Sequence, residues 1–125
     1  MQFVLVGIGG ALGSIARYAM VLAFADFAPT TFPVGTVVVN ILGSTLIGGL
    51  AGLASTRHAL NPDLALFLMV GVCGGYTTFS SFSLQTFELL RTGRAAQAIA
   101  NVIVSVLVCL VATTLAYRWV VIRFG

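Results

Sequence analysis

Four long apolar runs occupy most of the chain: Phe3 to Ala25, Val34 to Ser55, Leu64 to Leu90 and Gln97 to Tyr117. Each is long enough for the roughly 20-residue crossing of a bilayer's hydrocarbon core. Polar residues gather between them, in DFAPTTF at 26–32, TRHALNPD at 56–63 and LLRTGRAA at 89–96. The pattern predicts an all-α membrane protein, four transmembrane helices in one domain spanning residues 1–125. The helices are expected at about 3–25, 34–55, 64–90 and 97–117. Pro29 and Thr30 point to a tight turn before the second helix, whose first turn suits Pro33. The first run is too long for a signal-peptide core and lacks a small-residue cleavage site after it, so it is expected to be retained.

The third run carries GVCGGYTTFSSFS at 71–83, an unsuitable sequence for the middle of a crossing. Adjacent Gly74 and Gly75 followed by Thr77 and Thr78 are poor helix formers, and a break is expected over 74–78. A break leaves backbone groups without intrahelical partners. At membrane depth such backbone survives only where it lines a polar cavity or is satisfied by an ion or by buried protein. The break therefore marks the functional centre.

The other crossings carry stripes of small and polar residues. Helix one pairs Gly9 with Gly13 and Gly10 with Ser14; helix two repeats Asn40, Ser44, Gly48 and Gly52; helix four repeats Asn101, Ser105, Cys109 and Thr113. A four-residue interval keeps each stripe on one face, which reads as close helix packing or as the wall of a pathway.

Composition agrees with a membrane protein, with 59% hydrophobic and 7% charged residues and a mean hydropathy of +1.10, whereas soluble domains carry about a quarter charged residues. Four crossings put both termini on one side, with Arg57, Arg118 and Arg123; Arg91 and Arg94 lie opposite, joined by Arg17 if it snorkels. A clear excess on one side would set the orientation, whereas this near-tie permits insertion both ways round. Cys73 and Cys109 fall inside crossings and read as small buried residues. His58 has no second ligand nearby, which argues against a metal site or a hydrolytic triad.

Several residues carry candidate chemistry. Asn40 is either interhelical glue or a pair of amide donors aimed into a pathway. Arg17 reads as an anion attractor, an anchor to helix-end carbonyls or an interfacial snorkel. Phe79 and Phe82 share a face with Ser83 and Thr86, and Ser80, Ser81 and Ser83 interleave them. Phenylalanines at helical spacing are ordinarily core or lipid-facing. A ring's positive edge beside hydroxyl donors nevertheless suits a small anion.

GGALGSIARY, GTVVVNILGS and GVCGGYTTFSSFS together resemble the Fluc (CrcB) fluoride channel family, in the family's order and over essentially the whole chain. The resemblance implies a fluoride-selective channel, not an enzyme, that lets fluoride leave the cytoplasm passively and lowers its toxicity. It implies an antiparallel, dual-topology homodimer in the cell inner membrane, with two fluoride pathways at its interface. A structural sodium ion, held by backbone carbonyls of the two breaks, would fall on Gly74 and Thr77. The fluoride contacts would be Asn40, Phe79 and Phe82, with Ser80 and Ser83 beside them, and Arg17 belongs to the pattern. One departure is Gln85, where members of the family often carry a glutamate; Glu88, one turn on, does not take over that place.

Two other classes share the four-helix outline. A dual-topology multidrug/proton antiporter needs a membrane-embedded carboxylate on helix one, which has none. A non-transporting scaffold subunit would use its glycine stripes for packing alone and turn both rings to lipid.

Overall fold

The computed structural model describes residues 1–26 and 32–125, in which α-helices are joined by short turns. The turn expected around Pro29 and Thr30 lies outside the described residues. The first crossing is α1 (Gln2–Ala25) and the second α2 (Val34–Ala54). The third consists of α3 (62–76) and α4 (Phe79–Arg91), and the fourth is α5 (Ala95–Phe124). All four crossings are long and apolar enough to span a membrane.

Local chemistry sets the ends. Asn61 caps α3 by accepting from the Asp63 N–H at 2.9 Å, with Pro62 in the first turn. Gly93, at φ 77°, takes the left-handed conformation that ends α4, and the Arg94 N–H reaches back to the Leu89 carbonyl at 2.8 Å. The fourth helix runs on to Phe124 instead of stopping at Tyr117. No glycine or proline interrupts WVVIRF, and Gly125 follows it.

The break starts later than the expected Gly74. That residue keeps helical angles, φ −62° and ψ −39°, and the helix continues through Tyr76. Only Thr77 (φ −80°, ψ 158°) and Thr78 (φ −150°, ψ 119°) are extended. Packing overrides the low helix propensity of the glycine pair. An added Cβ on Gly75 would meet the Gly10 carbonyl and stand 2.9 Å from the Gly10 Cα; one on Gly13 would meet the Val72 carbonyl and stand 2.8 Å from the Tyr76 nitrogen. The glycines let α1 and α3 touch backbone to backbone, as small residues do between membrane helices. Upstream, Leu66–Cys73 is wound in i→i+5 register.

On the other side of the molecule α2 lies against α5, with Gly48 under the Thr113 backbone and Gly52 under Tyr117. The Thr113 hydroxyl donates across this seam to the Ser44 carbonyl at 3.1 Å. Val39, Cys73, Ala98 and Asn101 are 0–1% exposed, while Phe3, Ile15, Leu110 and Ile122 are more than half exposed. Such an inverted surface suits a lipid solvent.

Gly75→Ala forces α1 and α3 apart. Overpacking of this kind costs about 1–3 kcal/mol. Thermal unfolding in detergent should shift down by several degrees, whereas Gly7→Ala, whose Cβ meets nothing within 4 Å, should leave it in place.

Candidate functional site

The break is held open by a reciprocal pair of hydrogen bonds. The Thr78 N–H donates to Asn40 Oδ1 at 2.9 Å, and Asn40 Nδ2 donates to the Thr78 carbonyl at 3.1 Å. One side chain of α2 therefore replaces the helical partners that the extended residue has lost. Gly43 lets α2 approach, since a Cβ there would meet Thr77 Cγ2. The amide's second N–H is not taken up by any described residue.

Thr78 also starts the next helix. Its Oγ1 accepts from the Ser81 N–H at 3.2 Å and lies 3.1 Å from the Ser81 hydroxyl and 3.3 Å from that of Ser80. The N-terminal end of α4, with its partial positive charge, thus sits beside Asn40 within the crossing.

These diversions free two carbonyls. In an unbroken helix the Gly74 carbonyl would accept from the Thr78 N–H and the Thr77 carbonyl from the Ser81 N–H. Here the first N–H goes to Asn40 and the second to the Thr78 hydroxyl. Gly74 is exposed and has no side chain to shield its oxygen. Two uncommitted carbonyl oxygens fit a hard cation, which takes oxygen ligands. They are too few for one alone, so further oxygens would have to come from elsewhere.

Beside the break a groove of about 400 Å³ runs between α2, α4 and α5, lined by Asn40, Ser44, Phe79, Phe82, Ser105 and Thr113 among others. The Phe79 and Phe82 rings lie 5.4 Å apart at 50°. Phe82 is 9% exposed and Phe79 78% exposed. The groove contains no full charge: an amide, hydroxyls and ring edges are its polar features.

The structure brings Asn40, Phe79 and Phe82 together, but not the two serines. Ser80 and Ser83 are exposed and do not line the groove. Its hydroxyls come instead from Ser44, Thr77, Thr78, Ser105 and Thr113. The four-residue stripes on helices two and four already carried Ser44, Ser105 and Thr113; what sequence could not supply was which way those faces turn.

A hydrogen-bond chain ties α5 to the Phe82 turn of α4. Ser105 donates to Asn101 Oδ1 at 3.3 Å, Asn101 Nδ2 to Thr86 Oγ1 at 2.9 Å, and Thr86 Oγ1 to the Phe82 carbonyl at 2.7 Å. Asn101 is 1% exposed. Asn101→Leu should cost about 1–3 kcal/mol, because it leaves the buried Ser105 hydroxyl without its Asn101 partner and removes the amide that donates to Thr86. Chemical or thermal unfolding reads that loss, and Asn101→Gln should restore part of it.

Arg17 faces a second cavity of about 240 Å³ on the opposite side of Thr78, with Ser14, Thr36, Ser81 and Gln85. Arg17 Nε and Gln85 Oε1 are buried there without a hydrogen-bond partner. Buried polar atoms of this kind call for a bound water or another polar partner in that cavity. The groove and this cavity meet at Thr78, which lines both.

The family model described as CrcB-like protein, Camphor Resistance (CrcB), matches residues 4–117. The chain is 45% identical over 116 residues to a fluoride-specific ion channel FluC of Methylobacterium radiotolerans, covering 91% of this chain and 80% of the relative. It is 47% identical over 119 residues to the FluC of Rhodospirillum rubrum, covering 94% and 92%. To the FluC of Nitrobacter winogradskyi it is 50% identical over 101 residues, covering 81% and 80%. The matched span takes in the Asn40–Thr78 clamp, both rings and Arg17, and the chain belongs to the CrcB family.

Proposed function

We propose that the chain forms a fluoride-selective channel through which fluoride leaves the cytoplasm down its electrochemical gradient, easing fluoride toxicity. The observation that carries this reading is the charge-free groove at a broken crossing. Fluoride is small and strongly hydrated, so a pore must replace its water with closely placed donors. The uncommitted Asn40 N–H, the groove hydroxyls and the positive edges of Phe79 and Phe82 serve as those donors. A ring of ammonium groups would hold the ion too tightly to release it, since conduction needs sites that let go. No lysine occurs in the sequence.

An inside-negative potential of roughly 100 mV is worth about 2.3 kcal/mol per elementary charge, or about fiftyfold in concentration, so passive flow of the anion is outward. The channel needs no enzymatic step. An antiporter lacks support, because α1 contains no carboxylate to carry a proton.

The working unit is an antiparallel homodimer in the cell inner membrane. Phe79, 78% exposed beside an open groove, calls for a neighbour to complete the pathway. A second copy run the opposite way would bring a second pair of freed carbonyls to Gly74 and Thr77. Together the four oxygens would hold a structural sodium ion. Preparing the protein without sodium should then dissociate or inactivate the dimer, and an unchanged dimer with full flux would remove the ion from the scheme.

Purified protein in liposomes discriminates between the readings. Rapid electrogenic fluoride efflux, monitored with a fluoride electrode and a potassium ionophore, supports the channel. Drug exchange driven by a pH gradient would instead indicate an exporter, and silence a scaffold.

A further inference from the structure

A second groove, of about 990 Å³, lies on the other side of the α2–α5 seam from the phenylalanine groove. Thr45, Gly49 and Leu53 of α2 and Ala112, Ala116 and Ile122 of α5 are among its walls. It has a direction, because Arg118 and Trp119 stand near one end and only apolar or small side chains with Thr45 line the other.

Its length matches one leaflet. Thr45 to Leu53 and Ala112 to Ile122 rise about 12 and 15 Å at 1.5 Å per residue, roughly half of a hydrocarbon core about 30 Å thick. A transmembrane helix of a second copy would run the whole thickness, whereas an acyl chain ends at the midplane. The other end is cationic and, among the described residues, has no acidic partner. No carboxylate lines the groove, and the ion pair found among the described residues joins Glu88 to Arg91, not Arg118. Trp119, 64% exposed and edge-on to Phe124 at 6.3 Å, has the amphipathic character of an interfacial anchor.

We propose that this groove binds one anionic phospholipid, with an acyl chain along Gly49, Ala112 and Ala116 and the headgroup phosphate on Arg118. The Arg118 guanidinium has the donors for a bidentate contact with phosphate. The site is separate from the fluoride pathway and stands or falls independently of it.

Trp119 is the only tryptophan in the chain, so its fluorescence reports the groove. The protein is reconstituted at increasing fractions of tail-brominated phosphatidylglycerol or tail-brominated phosphatidylcholine in an unbrominated phosphatidylcholine background. Half-maximal quenching should need about fivefold less of the anionic lipid, the order expected for one interfacial arginine. Arg118→Gln should bring the two lipids close to parity. Gly49→Leu fills the floor; a Cβ there meets only Val120 Cγ2 at 3.9 Å, so the helix pair stays intact while quenching by both lipids falls. Equal quenching by the two lipids in the wild type, or a preference that survives both substitutions, would overturn the proposal. So would a Trp119 that neither lipid reaches, which would place a protein surface in the groove. Fluoride efflux, followed in the same vesicles, keeps this outcome separate from that of the channel reading.

Discussion

Phe79→Ala protein is expected to fold, insert and associate as the wild type does, yet carry fluoride ten- to a hundredfold more slowly. Phe79 is 78% exposed, so truncating it removes little from the protein's own packing. What is lost is one edge of the ring pair that stands 5.4 Å from Phe82. A contact to a charged partner is worth about 1.5–3 kcal/mol, and each 1.36 kcal/mol added to a barrier slows passage about tenfold. Phe82→Ala should block as strongly, but Phe82 is only 9% exposed, and emptying a buried phenylalanine site costs about 3–5 kcal/mol of stability. Phe79 therefore separates conduction from folding, and Phe82 does not. Initial fluoride efflux from liposomes, normalised to reconstituted protein, supplies the comparison. Wild-type rates in both variants would remove the rings from the pathway.

Asn40→Asp should have the larger effect, a loss of about a thousandfold. The substitution preserves shape and keeps an acceptor for the Thr78 N–H, now 2.9 Å from Asn40 Oδ1. It deletes the donor that meets the Thr78 carbonyl at 3.1 Å, setting oxygen against oxygen. It also puts a negative charge on the groove wall. Two like charges 4 Å apart repel by about 4 kcal/mol at an effective dielectric constant near 20, or about three orders of magnitude in rate. Asn40→Leu separates the two causes: it breaks the clamp without adding charge and should cost stability as well as flux. Efflux from Asn40→Asp vesicles near the wild-type rate would mean that the anion passes elsewhere.

The four crossings were legible because few structures besides membrane helices use apolar runs of bilayer length. The existence of a break was legible too, from glycines and threonines in the wrong place. Its start was not, because propensity treats Gly74 and Gly75 as weak helix formers, whereas α1 packs so tightly on Gly75 that the helix is kept whole as far as Tyr76. The bonds that set the break, from Asn40 to Thr78, join residues 38 positions apart, beyond the reach of any local pattern. Asn40, Phe79 and Phe82, distant in sequence, line one groove. Ser80 and Ser83 do not line it, and its hydroxyls come from α2, α5 and the break itself. Asn101, one of four residues in an ambiguous stripe in the sequence, proves to be the buried link between α5 and the Phe82 carbonyl through Thr86.

The decisive comparison is the rate of fluoride against chloride efflux from the same reconstituted vesicles at one membrane potential. A groove of neutral donors at a broken crossing should pass fluoride rapidly and chloride no faster than protein-free vesicles. Equal passage of both ions, or of neither, would contradict it.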